Sequence, residues 1–155
     1  MRMRLILFLI LNFGALALGA LFMGESPATN EWYIALNKAP WTPPGWMFGA
    51  AWTVIMIAYA LYMDRLVGSV DRYYLSTIYA FYAAQWILNV LWNPVFFTWH
   101  LPVLGVIVIF LLIVLLISVN IFYSTKNTVS LVFLLPYVLW LFVALSMNLF
   151  VVIMN

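Results

Sequence analysis

The chain has 155 residues, of which 68% are hydrophobic and 6% charged, with a formal net charge of +2. A water-soluble domain of this size cannot cover its surface with so little charge, so lipid must be the solvent for most of it. The small net charge makes no electrostatic case for a nucleic-acid partner, and the lack of cysteine excludes disulfides, a thiol nucleophile and thiolate metal sites.

Arg2 and Arg4 precede an apolar run, Leu5 to Met23, that is long enough to span a bilayer and predicts a first helix over about 5-23. The same stretch has a signal-peptide layout, with Ala15-Leu16-Ala17 as a small-residue cleavage site. Residues 24-43 form the one long polar connection, carrying Glu25, Pro27, Glu31, Lys38 and Pro40. Trp32 and Tyr33 within it predict a loop that packs back onto the molecule, and Ser26 or Thr29 is a candidate cap for a short helix through Leu36.

Pro43 and Pro44 give a rigid entry to a second helix over about 44-63, which ends at Asp64-Arg65. A turn through Gly68, Ser69, Asp71 and Arg72 leads to a third helix over about 73-97. Thr98 to Pro102 reads as a tight turn, and a fourth helix over about 102-123 is almost purely Leu, Ile and Val. Ser124 to Asn127 breaks it before a fifth helix over about 128-154. The predicted fold is therefore all-α and integral to the membrane: a five-helix transmembrane bundle, a single domain, with a lid-like loop between the first two helices.

Arg2, Arg4, Arg65, Arg72 and Lys126 fall on the side of the N-terminus, and Lys38 falls on the other. The positive-inside rule then places the N-terminus in the cytoplasm and loop 24-43 outside, in what is expected to be a bacterial cell membrane. The charged residues all lie at or near loops, which weighs against a pump or ion channel. Polarity inside the helices comes from Asn12, Thr53, Gln85, Asn89, Asn93, Asn120, Ser146 and Asn148. Hydrogen bonds between helices are the plain reading of such residues.

Their spacing supports a sharper one. Gln85, Asn89, Trp92 or Asn93, and Phe96 recur every three to four residues and so share one helix face. Phe48, Trp52 and Tyr59 make a similar stripe on the second helix, where Gly45 and Gly49 are expected to admit a close neighbour. Tyr137, Trp140, Ala144 and Asn148 continue it on the fifth, near a kink expected at Leu134 from Pro136. Aromatic and amide stripes facing inward are either a packed core or a pocket for a flat apolar molecule. The fourth helix, lacking a stripe, is expected to be the one turned most fully to lipid.

Trp41-Thr42-Pro43-Pro44-Gly45-Trp46, with Phe48-Gly49 and Trp52-Thr53, resembles the signature of the tryptophan-rich sensory protein and translocator protein family, TspO/MBR, also called peripheral benzodiazepine receptors. Trp32-Tyr33, the Gln85, Asn89, Trp92 and Phe96-Phe97 set, and the Pro136, Tyr137, Trp140, Ala144 and Asn148 set extend the match along nearly the whole chain. The resemblance implies a homodimer that binds protoporphyrin IX or a related tetrapyrrole as ligand, with no cofactor required, in a cavity closed by the first loop. It also implies binding of isoquinoline carboxamide-type drugs. Carried over, the ligand-binding residues are Tyr33, Pro43, Phe48, Trp52, Asn89, Trp92, Trp140 and Ala144, with Ala144 held small.

The function so implied is sensing, transport or porphyrin homeostasis. An alternative is light-dependent porphyrin degradation, with Trp52 and Trp140 as catalytic electron donors to the excited macrocycle. A weaker one is a ligand-regulated stress-response scaffold. Hydrolysis is excluded, since no carboxylate pair or second histidine lies within the helices. Residues 149–155 contain neither Tyr nor Arg, so the sterol motif of the animal relatives is missing there and sterol binding is not expected. His100, beside Trp99 in a turn, reads as an interfacial residue, not a haem ligand; His100→Ala is expected to leave metal-free porphyrin affinity unchanged. Ala80 and Ala84 are a candidate dimer seat, with packing inside one chain as the other reading.

Overall fold

A computed structural model describes residues 2–123 and 128–155; the break expected at Ser124 to Asn127, with Lys126, lies outside the described residues. Among the described residues every regular element is helical: α1 (Arg2–Met23), α2 (Glu31–Ala35), α3 (Gly45–Ser69), a 3-10 turn (Arg72–Tyr74), α4 (Leu75–Asn93), a π-helical turn (Pro94–Thr98), α5 (Pro102–Tyr123) and α6 (Thr128–Met154). Lipid offers a bare backbone no hydrogen-bond partner, so apolar sequence of this kind satisfies its own N–H and C=O groups by coiling. Among the described residues, four segments are long and apolar enough to cross a membrane: Met3–Met23, Gly45–Ser69, Pro102–Tyr123 and Leu131–Met154.

The helices close a ring in which α1 touches α3 and α4, α3 touches α6, α6 touches α5, and α5 touches α4. Tyr59 and Tyr62 of α3, Tyr82 of α4, Leu112 and Leu116 of α5 and Tyr137 of α6 meet at its centre. Between helices in lipid there is no water to expel, so the fit of these rings and their hydrogen bonds carries the association. α4 presents Gln85 and Asn89 to this centre, both buried.

Several boundaries differ from expectation. α3 runs to Ser69 instead of stopping near Met63. Asp64 is partnered where it stands: Arg4 Nε of α1 donates to its Oδ1 at 2.7 Å and Arg4 Nη2 to its carbonyl at 2.8 Å. Arg65 lies over the Phe133 ring at 4.2 Å. Charges held in this way need not end a helix, and it closes where Ser69 Oγ and the Val70 N–H both bond the Leu66 carbonyl.

The third predicted helix is three pieces, a 3-10 turn, α4 and a π turn, and the second break falls at Pro94, which has no N–H to continue the α ladder. The chain widens there into a π turn, closed by Trp99 N–H on the Pro94 carbonyl at 2.8 Å. In the loop, the cap of α2 is Asn30, whose Oδ1 accepts from the Tyr33 N–H at 2.8 Å. Ser26 and Thr29 bond each other instead.

Three packing expectations are also overturned. A Cβ at Gly45 or Gly49 would meet nothing, whereas one at Gly105 would lie 3.2 Å from Asn148 Oδ1 and one at Gly19 2.5 Å from Asn93 Nδ2. α5 is not the helix most given to lipid: 39% of its most apolar stretch is buried, against 22% for α1 and for α6. Aliphatic faces pack between neighbours without any aromatic stripe, and α5 is wedged between α4 and α6. Thr53, expected to bond between helices, instead bonds the Gly49 carbonyl of its own helix at 2.8 Å.

Candidate functional site

Tyr137 is the hub of the interior and is fully buried. The spacing of α4 puts Gln85 and Asn89 one turn apart on one face, and both amides reach its hydroxyl, Gln85 Nε2 at 2.8 Å and Asn89 Nδ2 at 2.6 Å. Trp52 of α3 meets the Tyr137 ring edge-on at 5.8 Å between centroids, and Tyr59 does so at 5.3 Å. One turn further along the same α3–α6 seam, Phe48 is edge-on to Trp140 at 5.5 Å. Such edge contacts are favourable arrangements of aromatic quadrupoles. Ala144, one turn beyond Trp140, is half-buried and packs against the main core.

Trp92 and Tyr33 belong to a second aromatic group at the other end of α4. Trp92 stacks on Phe96 at 5.4 Å, and Tyr33 is edge-on to Phe97 at 5.2 Å and to Phe96 at 6.2 Å. With the Asn148 amide turned so that its oxygen faces the indole, it accepts from Trp92 Nε1 at 3.2 Å while its nitrogen donates to the Pro102 carbonyl at 3.2 Å. Gly105 gives Asn148 the room to do so. Burial pushes the Tyr33 phenol above its ordinary value of 10.0, so it is neutral at physiological pH.

The loop is clasped over this end. Trp32 stacks on His100 at 4.4 Å and meets Phe96 edge-on at 5.4 Å. His100 has a φ of 54°, a left-handed backbone that non-glycine residues seldom adopt. Lys38 Nζ donates to the carbonyls of Tyr33 and Ile34 at 2.9 and 3.1 Å, capping the last turn of α2. Asn37 N–H donates to Asn155 Oδ1 at 2.9 Å, and Trp41 Nε1 donates to Ser146 Oγ of α6 at 3.1 Å. Pro43 is half-buried in the segment between the Ala39–Thr42 turn and α3.

A groove of about 420 Å³ opens between α3 and α6, lined by Trp46, Ala50, Ala51, Val54, Pro136 and Trp140 among others. Its wall is almost wholly apolar, and of the expected ligand residues Trp140 is the one that borders it. Phe48, Trp52 and Asn89 lie inward of it around Tyr137, whereas Trp92 and Tyr33 sit with the loop. Six of the eight thus fall into two groups, Phe48, Trp52, Asn89 and Trp140 along the seam and Tyr33 and Trp92 beside the loop, while Ala144 packs against the core and Pro43 joins neither; they do not ring a single open cavity.

Sequence reasoning set Tyr137 in a stripe but did not name it as a site residue; the signal was its spacing, three residues before Trp140. It also gave Trp32 and His100 no joint role. The groups on offer are flat aromatic rings with neutral amide, indole and phenol donors. Among the described residues, no group of three or more His, Asp or Glu is placed to hold a metal ion.

A family model described as TspO/MBR family matches residues 6–154. The chain is 33% identical to Protein CrtK of Rhodobacter capsulatus over 133 residues, covering 85% of this chain and 80% of the relative. It is 33% identical to the Tryptophan-rich sensory protein of Cereibacter sphaeroides over 122 residues, covering 77% and 73%. With Tryptophan-rich protein TspO of Archaeoglobus fulgidus it shares 32% identity over 139 residues, covering 88% and 87%. Helices able to span a bilayer, a tryptophan-rich α3 entrance and a match along nearly the full sequence lead to one conclusion: this chain is an integral membrane protein that belongs to the TspO/MBR family.

Proposed function

We propose that the protein binds a tetrapyrrole of the protoporphyrin IX type among the aromatic and amide side chains of α3, α4 and α6, for sensing, transport or porphyrin homeostasis. The observation that carries this reading is the α3–α6 seam. There Trp140 forms both a wall of an apolar groove of about 420 Å³ and an edge contact with Phe48, behind which lie Trp52, Tyr137 and Asn89. Parting the Phe48 and Trp140 rings joins groove and interior into one slot. Its volume lies within the range of about 300–1,000 Å³ common to small-molecule sites. Aromatic walls suit a flat macrocycle, and the Asn89 amide supplies a polar handle.

In this reading the chain crosses the membrane five times, with α4 as the fifth span, the N-terminus in the cytoplasm and loop 24-43 outside as a lid. Isoquinoline carboxamides compete for the same slot, and exposed Ala80 with half-buried Ala84 on α4 seats a second copy of the chain.

The observation that favours a second reading, light-dependent degradation, is that Trp52 and Trp140 lie on the same seam, where an excited macrocycle meets both. Titration of the protein in bilayer nanodiscs with protoporphyrin IX, in the dark and then under illumination, tests both readings. Saturable quenching of tryptophan fluorescence supports binding, and non-saturating partition equal to that of empty nanodiscs rejects it. Bleaching that is lost in Trp52→Phe and Trp140→Phe supports the photochemical reading; bleaching unchanged in both removes it.

A further inference from the structure

Away from the groove, a small, partly open pocket lies between α3, α4 and α5, lined by Tyr59, Met63, Ile78, Tyr82, Gln85 and Leu116 among others. It leaves about 10 Å³ in which the centre of a water-sized sphere fits. One water needs roughly that much, about 10–15 Å³, together with two to four polar partners. An apolar cavity of this size would stay dry; this one has three polar side chains in its wall.

Gln85 is 3% exposed, and one arm of its amide is committed to Tyr137. The other, Oε1, is buried without a partner. Tyr82 spends its proton on Asn12 Oδ1 at 2.7 Å, which leaves its oxygen free to accept. A buried amide oxygen with nothing to bond bears its full desolvation penalty, and few such atoms persist in native interiors. Exchanging the two ends of the amide does not remove the problem. With Oε1 on Tyr137, a nitrogen donor is left unpartnered instead.

The geometry points to a structural water in this cavity, bonded to the free arm of Gln85 and to the hydroxyl of Tyr59 or Tyr82. Water suits the site in either amide orientation, because it both donates and accepts. It completes the bonding of Gln85, whose other arm fixes Tyr137 against Trp52, and so supports the inner wall of the proposed ligand site without touching ligand. The inference is independent of which ligand the protein binds.

Two measurements test it. A crystal structure at a resolution that orders internal waters is expected to contain one water within about 2.6–3.2 Å of the Gln85 amide and of one tyrosine hydroxyl. An empty cavity overturns the proposal. Val119→Ile adds one methylene to the pocket wall, and a double-mutant cycle with Gln85→Met separates the cases. Where a bonded water is displaced, the fall in melting temperature caused by Val119→Ile is smaller in the Gln85→Met background; an equal fall in both backgrounds is overpacking of a dry void and overturns the proposal.

Discussion

At the scale of single residues, the interior depends on who partners the Tyr137 hydroxyl. Tyr137→Phe leaves two buried amide arms without an acceptor and is expected to destabilise the protein by about 1–2 kcal/mol, less than in a dry soluble core because unfolded chains in lipid find other partners. Thermal unfolding in detergent against Tyr62→Phe, whose buried hydroxyl has no partner among the described residues, checks this; equal losses would refute the hub role. Glycines provide a second contrast. Gly49→Ala meets open space and gains helix propensity, so it is neutral or stabilising, whereas Gly105→Ala crowds Asn148, Trp92 and Phe96 and lowers the melting temperature. Periodicity made Gln85, Asn89 and Tyr137 legible as inward-facing, since position on a helix face is local information. It could not pair them, nor say which glycine a neighbour approaches, because both depend on how helices are rotated against one another.

At the scale of elements, the loop and the ends of α3 were the parts least open to reading. Asp64-Arg65 looks like a helix end until Arg4, sixty residues away in sequence, is seen to hold Asp64. Arg4 is 31% exposed and Asp64 9%, so solvent screens only part of the pair. A double-mutant cycle with Arg4→Met and Asp64→Asn is expected to give a coupling of about 1 kcal/mol in stability. Additive losses would mean that the pair contributes nothing.

The third helix was expected to run unbroken through Pro94, although that residue is a local signal for the break, and the π turn that follows docks against α5 and the loop. The loop is tied by Trp32 on His100 and Phe96, so Trp32→Ala is expected to speed hydrogen exchange across residues 24–43 several-fold while α5 and α6 are unchanged. Tyr33 contributes to the loop's pH response. Its phenol holds its proton to higher pH when docked than when free, so docking is at full strength below about pH 10 and weakens as the pH rises through and past that value. Limited proteolysis of the loop should therefore be flat between about pH 6 and 9 and faster above about 10.

At the scale of the whole molecule, composition alone required a membrane protein, and the apolar runs located its helices to within a turn or so at most ends. The ring order was not legible, since every helix is apolar and any neighbour satisfies it equally on composition. Nor was the division of most of the expected site residues into a seam group and a loop group, which arises because α3 and α6 converge at Trp140 and Phe48 while the π turn carries Phe96 and Phe97 to the loop. The tetrapyrrole proposed as ligand enters at the α3–α6 seam and reaches Trp52 and Tyr137. A structure of the protein with protoporphyrin IX bound tests this. The macrocycle is expected to lie against Trp140 and Trp52 with the Phe48 and Trp140 rings parted. A macrocycle bound elsewhere, with those two rings still in contact, would contradict it.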